Sequence, residues 1–388
     1  MTLASDAPLR IEVVRDAPTR AAWLAVPYRV FADDPAWIAP LRLMEERRFT
    51  PKHPFFEFAE ACLFVALRGR EPVGRISAQI NRRHLAFHGD ATGHFGFFEC
   101  VDDARVAHAL LERARDWLAE RGMQRMAGPL NFSTNEESGL LVDGFETPPA
   151  IMMTHARPWF GALLEGAGLR KEMDLYAYRM DPKTPAPEVL KLAAKTLKSG
   201  RVAVRPIAMR RLKDEVELLA DIYNDAWAQN WGFVPFARPE IDSLVAELKP
   251  VFRSGYGRFV SIDGRPSAVM LGLPDINSVI APFKGRLLPF NWAPFAFKLA
   301  RQDFSGARVL LLGIRQEHQR TSLAAGVLAL LAKEFLDESR KHNLDWVEFS
   351  WVLECNKAMN ALARLAAGPP VKTFRVYSTP LEARAAPQ

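Results

Sequence analysis

The sequence predicts an α/β protein with mixed sheets, arranged as two domains that repeat one plan. Residues 64–80 (FVALRGREPVGRISAQI) and 259–273 (FVSIDGRPSAVMLGL) share a pattern: an apolar run, a Gly-centred turn followed by Pro, and a second apolar run. That is the signature of a β-hairpin, and the extra Glu71 is absorbed in the turn. The segments around each hairpin follow in the same order, the mark of an internal repeat. Between the copies lies DPKTPAPEVLKLAAKTLKSG, whose Pro-rich start reads as a linker leading into a short helix. One large domain with accidental similarity is the alternative, and agreement across the whole element order argues against it.

The first copy opens with LRIEVV, a short strand, and TRAAWLAVPYRVF, a helix. After its hairpin come the apolar strand GHFGFFECV and the helix ARVAHALLERARDWLAERG, apolar on one face and charged on the other. MQRMAGPL, PWFGALLEGAG and DLYAYRM close it as strand, helix and aromatic strand. The second copy runs through VAVRPI, RLKDEVELLADIYNDAW, its hairpin, ARVLLLGI and SLAAGVLALLAKEFLDESRK, then LDWVEFSWVL, NKAMNALARLAAG and TFRVYS. The predicted domains are 1–181 and 201–388, joined by 182–200. At 388 residues the chain is long for one core and sufficient for two.

Composition narrows the function. Hydrophobic residues at 49% and charged residues at 25% exclude disorder. No run approaches the ~20 apolar residues of a membrane span. MTLASDAPLRIEVVRDA has no apolar signal core, and Cys62, Cys100 and Cys355 suggest no disulfide framework, so a cytoplasmic location is expected. No Lys/Arg block points to nucleic acid. The net charge of +6 suits a polyanionic cosubstrate and an anionic membrane surface equally.

Several stretches carry chemistry. In 310–328, LLLGIRQEHQRTSLAAGVL, a strand turns into a helix, a corner where backbone N–H groups can hold phosphate. A plain capped turn is the competing reading. The matching corner of the first copy, ECVDDARVAHALL, puts Asp102 and Asp103 where an anion would sit; these cap helices well and host anions poorly. In WVEFSWVLE, alternation places Trp346, Glu348, Ser350, Val352 and Glu354 on one face. Two carboxylates on a sheet-interior strand need a polar cavity, unless they lie at an exposed strand end.

GPLNFSTNEESGLLVDGF is the densest polar cluster, with Asn131, Ser133, Thr134, Asn135, Glu136, Glu137 and Ser138. Its acids suit an ammonium group and its amides a hydroxyl or ketone; a solvated loop is the alternative. AWAQNWGFVPF sets Trp227, Trp231, Phe233 and Phe236 close together, as core packing or as a lid over a hydrocarbon chain. RLLPFNWAPFAFKLARQ covers such a chain or rests on a membrane surface. His84, His88 and His94 lack the Glu that follows the first His in zinc hydrolases, so no metal site is expected.

The element order resembles the GNAT acyltransferase superfamily, here used twice. GHFGFFEC, GPLNFSTNEESGLLVDGF, YNDAWAQNWGFVPF, EFSWVLECNKAMN and KTFRVYS resemble more closely a group of tandem-GNAT bacterial proteins that includes the bacterial ceramide synthases. The resemblance implies an acyl-CoA-dependent N-acyltransferase. A fatty acyl thioester would acylate the amine of a sphingoid base, sphinganine or its 3-keto form, by direct attack. A short-chain N-acetyltransferase for a soluble amine and a non-catalytic acyl-CoA or lipid binder are the alternatives.

The resemblance also implies roles. Gln319, Arg320, Thr321, Ser322 and Ala324 match the superfamily's phosphate corner, with Ser322 in place of its first glycine. A backbone N–H among Leu312, Gly313 and Ile314 would hold the oxyanion, and Asn356 would touch the pantetheine arm or cap its helix. The fourth and fifth strands of the fold splay around the thioester, so Glu348, with Glu354 second, would take the amine's proton. Asn131, Ser133, Asn135, Glu136, Glu137 and Trp231 would receive the acceptor. The customary tyrosine acid is missing, since Ala363 or a neighbour stands there; water, Ser350 or Tyr377 would replace it. Acyl-CoA is expected as a cosubstrate and a lipid amine as acceptor, with no permanently bound cofactor; peripheral contact with the inner membrane is a further expectation.

Overall fold

The computed structural model describes residues 7–236, 238–248 and 254–382. They form two compact units. The first runs to Asp174 and takes in Phe283–Leu287 and the chain from Phe374; the second comprises Leu175–Pro282 and Leu288–Thr373.

In chain order the first half contributes β1 (Leu9–Val13), α1 (Ala17–Val30), α2 (Arg42–Arg48), β2 (Ala59–Arg68), β3 (Glu71–Asn81), α3 (Arg82–His88) and β4 (Thr92–Cys100). Then come α4 (Ala104–Ala119), β5 (Arg125–Gly128), β6 (Leu130–Asn131), β7 (Glu137–Ser138), β8 (Leu140–Asp143), α5 (Phe160–Gly166) and β9 (Arg170–Met180). The predicted hairpin is β2–β3, turned through Gly69 at φ +62°. β1 to β4 pair antiparallel in order, and β5 joins β4 in parallel. Val106, Leu110, Leu111, Ala114 and Leu118 form the buried stripe of α4. The helix lies so close that a Cβ at Gly93 would stand 2.4 Å from Leu118.

The second half contributes α6 (Pro187–Lys198), β10 (Val202–Pro206), α7 (Leu212–Trp227), α8 (Arg238–Leu248), β11 (Gly257–Ile262), β12 (Arg265–Pro274) and α9 (Asn277–Ile280). It continues with α10 (Trp292–Arg301), β13 (Gly306–Ile314), α11 (Gln316–Gln319), α12 (Ser322–Lys341), β14 (Trp346–Leu353), α13 (Lys357–Ala367) and β15 (Lys372–Pro380). β10 to β13 repeat the antiparallel order and β14 joins β13 in parallel. The element plan read from the sequence is thus present twice.

One expectation changes. The linear division at 182–200 gives way to an exchange of closing strands, because hydrogen bonding rather than chain order sets the units. Residues 175–180 of β9 pair with β14, whereas Tyr377–Pro380 of β15 pair with β5. The short helix expected after the Pro-rich linker is α6, which packs: Val189, Ala193 and Thr196 are buried, and Gly326 of α12 leaves room for the Thr196 hydroxyl.

The histidines of α3 and β4 meet, with the His84 ring centroid 4.3 Å from that of His88 and 4.6 Å from that of His94; His84 and His94 are buried and His88 is exposed. Among the described residues no group of three His, Cys, Asp or Glu could hold a metal ion. Burial pushes His84 down to about 4 and His94 well below the usual imidazole range. The unfolded chain therefore binds more protons below pH ~6.5, and stability falls as pH drops from there towards 4. Denaturant titrations at pH ~7 and ~5 should differ by on the order of 2 kcal/mol from His84 alone. His84→Gln should flatten that slope, and an unchanged slope would remove His84 as its cause.

Candidate active site

In the second unit, β12 and β13 carry a register shift: Leu271 faces Leu311 and Gly272 faces Val309, so Leu310 is an extra residue. A bulge of this kind bends the strand. The β13–β14 pairing runs from Gly306–Trp346 to Val309–Phe349, ending where the bulge begins. Beyond it 310–313 is only half-buried, and alternate N–H groups of Leu312, Gly313 and Ile314 lie on the edge away from β12. Gly313 has a steric duty as well, since a Cβ there would meet the Trp227 ring at 2.1 Å.

α12 begins at the same corner. Its N-cap residue, Thr321, gives its hydroxyl to the His318 carbonyl at 2.7 Å, and no side chain caps the helix. A 20-residue helix left uncapped presents the N–H groups and partial positive charge that attract anions. Arg320, Thr321 and Ser322 are exposed there, while Ala324 is buried and continues the turn. The Gln319 side chain faces inward chemically: its amide donates to the Ala226 and Ile314 carbonyls at 2.8 and 3.0 Å. Arg315 likewise pairs with Asp221 and donates to the Pro266 carbonyl. These two side chains brace the corner, so they are engaged in a way the sequence did not reveal.

Glu348 is wholly buried beside the point of parting. One carboxylate oxygen accepts from Arg179 Nη2 at 2.9 Å and the other from Ser350 Oγ at 3.0 Å. Arg308 Nε in turn donates to Ser350 Oγ at 2.9 Å. Register explains the row: Arg308, Glu348 and Arg179 are neighbours across β13, β14 and β9. The expected alternation through Glu354 is interrupted by a register shift between Phe349 and Val352, and Glu354 sits half-buried just past the strand. Asn356 is exposed and caps α13, accepting from the Met359 N–H at 3.1 Å. Asn360, unnoticed in the sequence, ties Tyr178 Oη to the Leu353 and Asn356 carbonyls. Tyr377 belongs to the first unit, where its hydroxyl donates to Glu165.

The aromatic segment resolves towards packing. Tyr223 stacks on Trp227 at 4.9 Å and touches Phe233 and Phe236 at 5.5 and 4.7 Å. Trp231 is half-buried in the adjoining turn.

The equivalent features of the first unit are closed. Asp103 caps α4 by accepting from the Arg105 N–H at 2.8 Å, and its other oxygen pairs with Arg68 at 2.6 Å. β4 pairs with β5 only through His94–Ala127. In the gap that follows, β6 is inserted: a Cβ at Gly96 would lie 2.1 Å from the Leu130 carbonyl oxygen. Gln79 fixes that insert by donating to the Leu130 and Phe132 carbonyls at 2.6 and 3.0 Å.

Asn131, expected at the acceptor, is part of this plug. Its Oδ1 accepts from the Phe97 N–H at 2.7 Å and its amide donates to Glu137 at 2.7 Å. Both ends are engaged because the loop must satisfy the backbone it fills against. Ser133 is buried and turns the loop by accepting from the Asn135 N–H at 3.2 Å. Glu136 and Glu137 converge on Arg48, at 3.3 and 3.2 Å, with Glu45 at 3.9 Å. Arg48, on α2, is the resident cation that the sequence did not disclose. His53 stands 4.0 Å from Glu136, and burial with the nearby Arg48 pushes it down to about 4, so it stays neutral. Burial pushes Glu45 and Glu99 up, although Arg75 bonds Glu99 at 2.8 Å.

Among known proteins, the chain is 38% identical over 380 residues to the bacterial ceramide synthase of Caulobacter vibrioides, covering 97% of this chain and 99% of that one. The chain belongs to the tandem-GNAT family that includes the bacterial ceramide synthases. This family member is 36% identical over 358 residues to protein YghO of Escherichia coli, covering 92% and 91% of the two chains. No family model matches the sequence. Among solved structures, the tandem GNAT protein from the clavulanic acid biosynthesis pathway aligns with TM-score 0.56 and 11% identity over 97% of this chain and all of that one. A GCN5-related N-acetyltransferase from Sphaerobacter thermophilus aligns with TM-score 0.52 and 11% identity over 96% of each. This tandem-GNAT protein is accordingly an enzyme, an N-acyltransferase. No helix among its described residues is long and apolar enough to cross a membrane.

Proposed function

We propose that the second unit binds a long-chain acyl-CoA and that its acyl group passes to the amine of a sphingoid base, giving a ceramide-type amide. The observation that carries this reading is the departure of β13 from β14 after Val309–Phe349, beside the uncapped start of α12. The pyrophosphate would rest on the first-turn N–H groups at Ser322, with Arg320 supplying positive charge. The thioester would lie along 310–314, its developing oxyanion held by a freed β13 N–H. The amine attacks the thioester carbon, the C–N bond forms, and collapse of the intermediate expels the CoA thiolate. Glu348 takes the proton from the attacking nitrogen, releasing either Arg179 or Ser350 as it does so. Water or a nearby hydroxyl returns a proton to the thiolate.

The first unit has a group of acids that suits an ammonium ligand: Glu45, Glu136 and Glu137 gather at Arg48. The sphingoid class rests on the identity with the Caulobacter ceramide synthase.

Purified enzyme should be offered acetyl- and palmitoyl-CoA with sphinganine, 3-ketosphinganine and soluble amines, and the products read by mass spectrometry. Long-chain amides of a sphingoid base are expected. Faster turnover with acetyl-CoA and a soluble amine would replace the lipid reading, and absence of any product would favour a binding protein.

A further inference from the structure

We propose that residues 288–301 of the second unit dock the enzyme on an anionic membrane surface. The four most exposed large apolar side chains among the described residues all lie here: Phe290 at 81%, Leu288 at 66%, Phe297 at 61% and Trp292 at 55%. Isolated exposed apolar residues are ordinary, whereas a cluster of them marks a surface that meets something. α10 has no buried residue. Trp292, Ala293, Ala296, Phe297 and Ala300 are exposed at helical spacing, with Phe295 and Leu299 half-buried beside them. The helix thus leaves an apolar face exposed.

Charge selects the occupant. From Leu288 to Arg301 the sequence has no acidic residue and two basic ones, Lys298 and Arg301. Arg301 lies 5.4 Å from the centre of the Phe297 ring, so a cation borders the aromatic face directly. Aromatic and aliphatic side chains flanked by Lys and Arg, without acids, match the boundary between acyl chains and anionic headgroups. At ten residues α10 is far too short to span, so it would lie in the plane of the surface. The inference stands apart from the acyl-transfer reading, because its test measures binding and not turnover.

The full chain should be floated with vesicles of phosphatidylglycerol and phosphatidylethanolamine, and separately with phosphatidylcholine alone. Binding is expected to the anionic vesicles, weakening as salt rises, and little to the neutral ones. Trp292→Ser with Phe297→Ser, and Lys298→Glu with Arg301→Glu, should each lower binding about tenfold or more, with circular dichroism unchanged. Wild-type protein that does not float with anionic vesicles would overturn the proposal, as would double variants that float equally well. Self-association lost in the aromatic variant, without vesicle binding, would assign the patch to a second copy and overturn it too.

Discussion

Glu348→Gln is expected to lower kcat about 10²–10⁴-fold while leaving KM for acyl-CoA nearly unchanged. The substitution preserves shape and can keep the Ser350 hydroxyl as a donor, but it removes the group proposed to take the amine's proton. It also leaves Arg179 facing a neutral amide in a buried setting. Breaking such a pair costs about 3–5 kcal/mol, so a fall in Tm is expected alongside the loss of rate. The two effects are separable. Arg179→Met also breaks the ion pair, yet keeps the carboxylate, and should lower stability with a smaller loss of kcat per folded molecule. If Glu348→Gln retains full kcat in its folded fraction, the residue is structural and the assignment fails. The same change at Glu354, beyond the strand, should have much the smaller effect.

Ser322→Asp should raise KM for acyl-CoA about 100-fold with kcat at saturation little altered. A carboxylate ~5 Å from a pyrophosphate charge costs about 3 kcal/mol at an effective dielectric near 20. The fold should respond in the opposite direction. Ser322 is exposed at the first position of an uncapped 20-residue helix, where a negative charge typically adds about 0.3–1 kcal/mol of stability. A more stable protein with weakened thioester binding is a combination that general damage would not produce. The comparison variant is Asp103→Ser in the first unit, whose corner is already occupied by Arg68 and the capped α4. It should lose stability and leave KM unchanged. Unaltered KM in Ser322→Asp would remove the pyrophosphate from this corner.

Much of the architecture was legible because it depends on local chemistry. A Gly-centred turn between apolar runs specifies a hairpin, and an apolar stripe at helical spacing specifies a packed helix. The two acids of the first corner foretold a helix cap, which Asp103 provides. The polar loop stood out as a dense run of polar residues, and the structure shows several of them hydrogen-bonded within the first unit. Its use was harder to foresee. Asn131 closes the first unit's own strand gap, and Glu136 and Glu137 meet an arginine more than eighty residues earlier.

The residue order by itself determined the repeated plan, the family resemblance and the carboxylate placed inside a sheet, since each depends on neighbours in the chain. Folding decided which final strand pairs in which unit, because β9 and β15 are both aromatic strands and backbone ladders do not distinguish them. It also decided that one strand gap is filled by β6, that the β13–β14 ladder stops at Val309–Phe349, and that Glu348 lies between two arginines across the strands. Those outcomes depend on side chains that meet only across strands, from positions as far apart as Arg179 and Glu348.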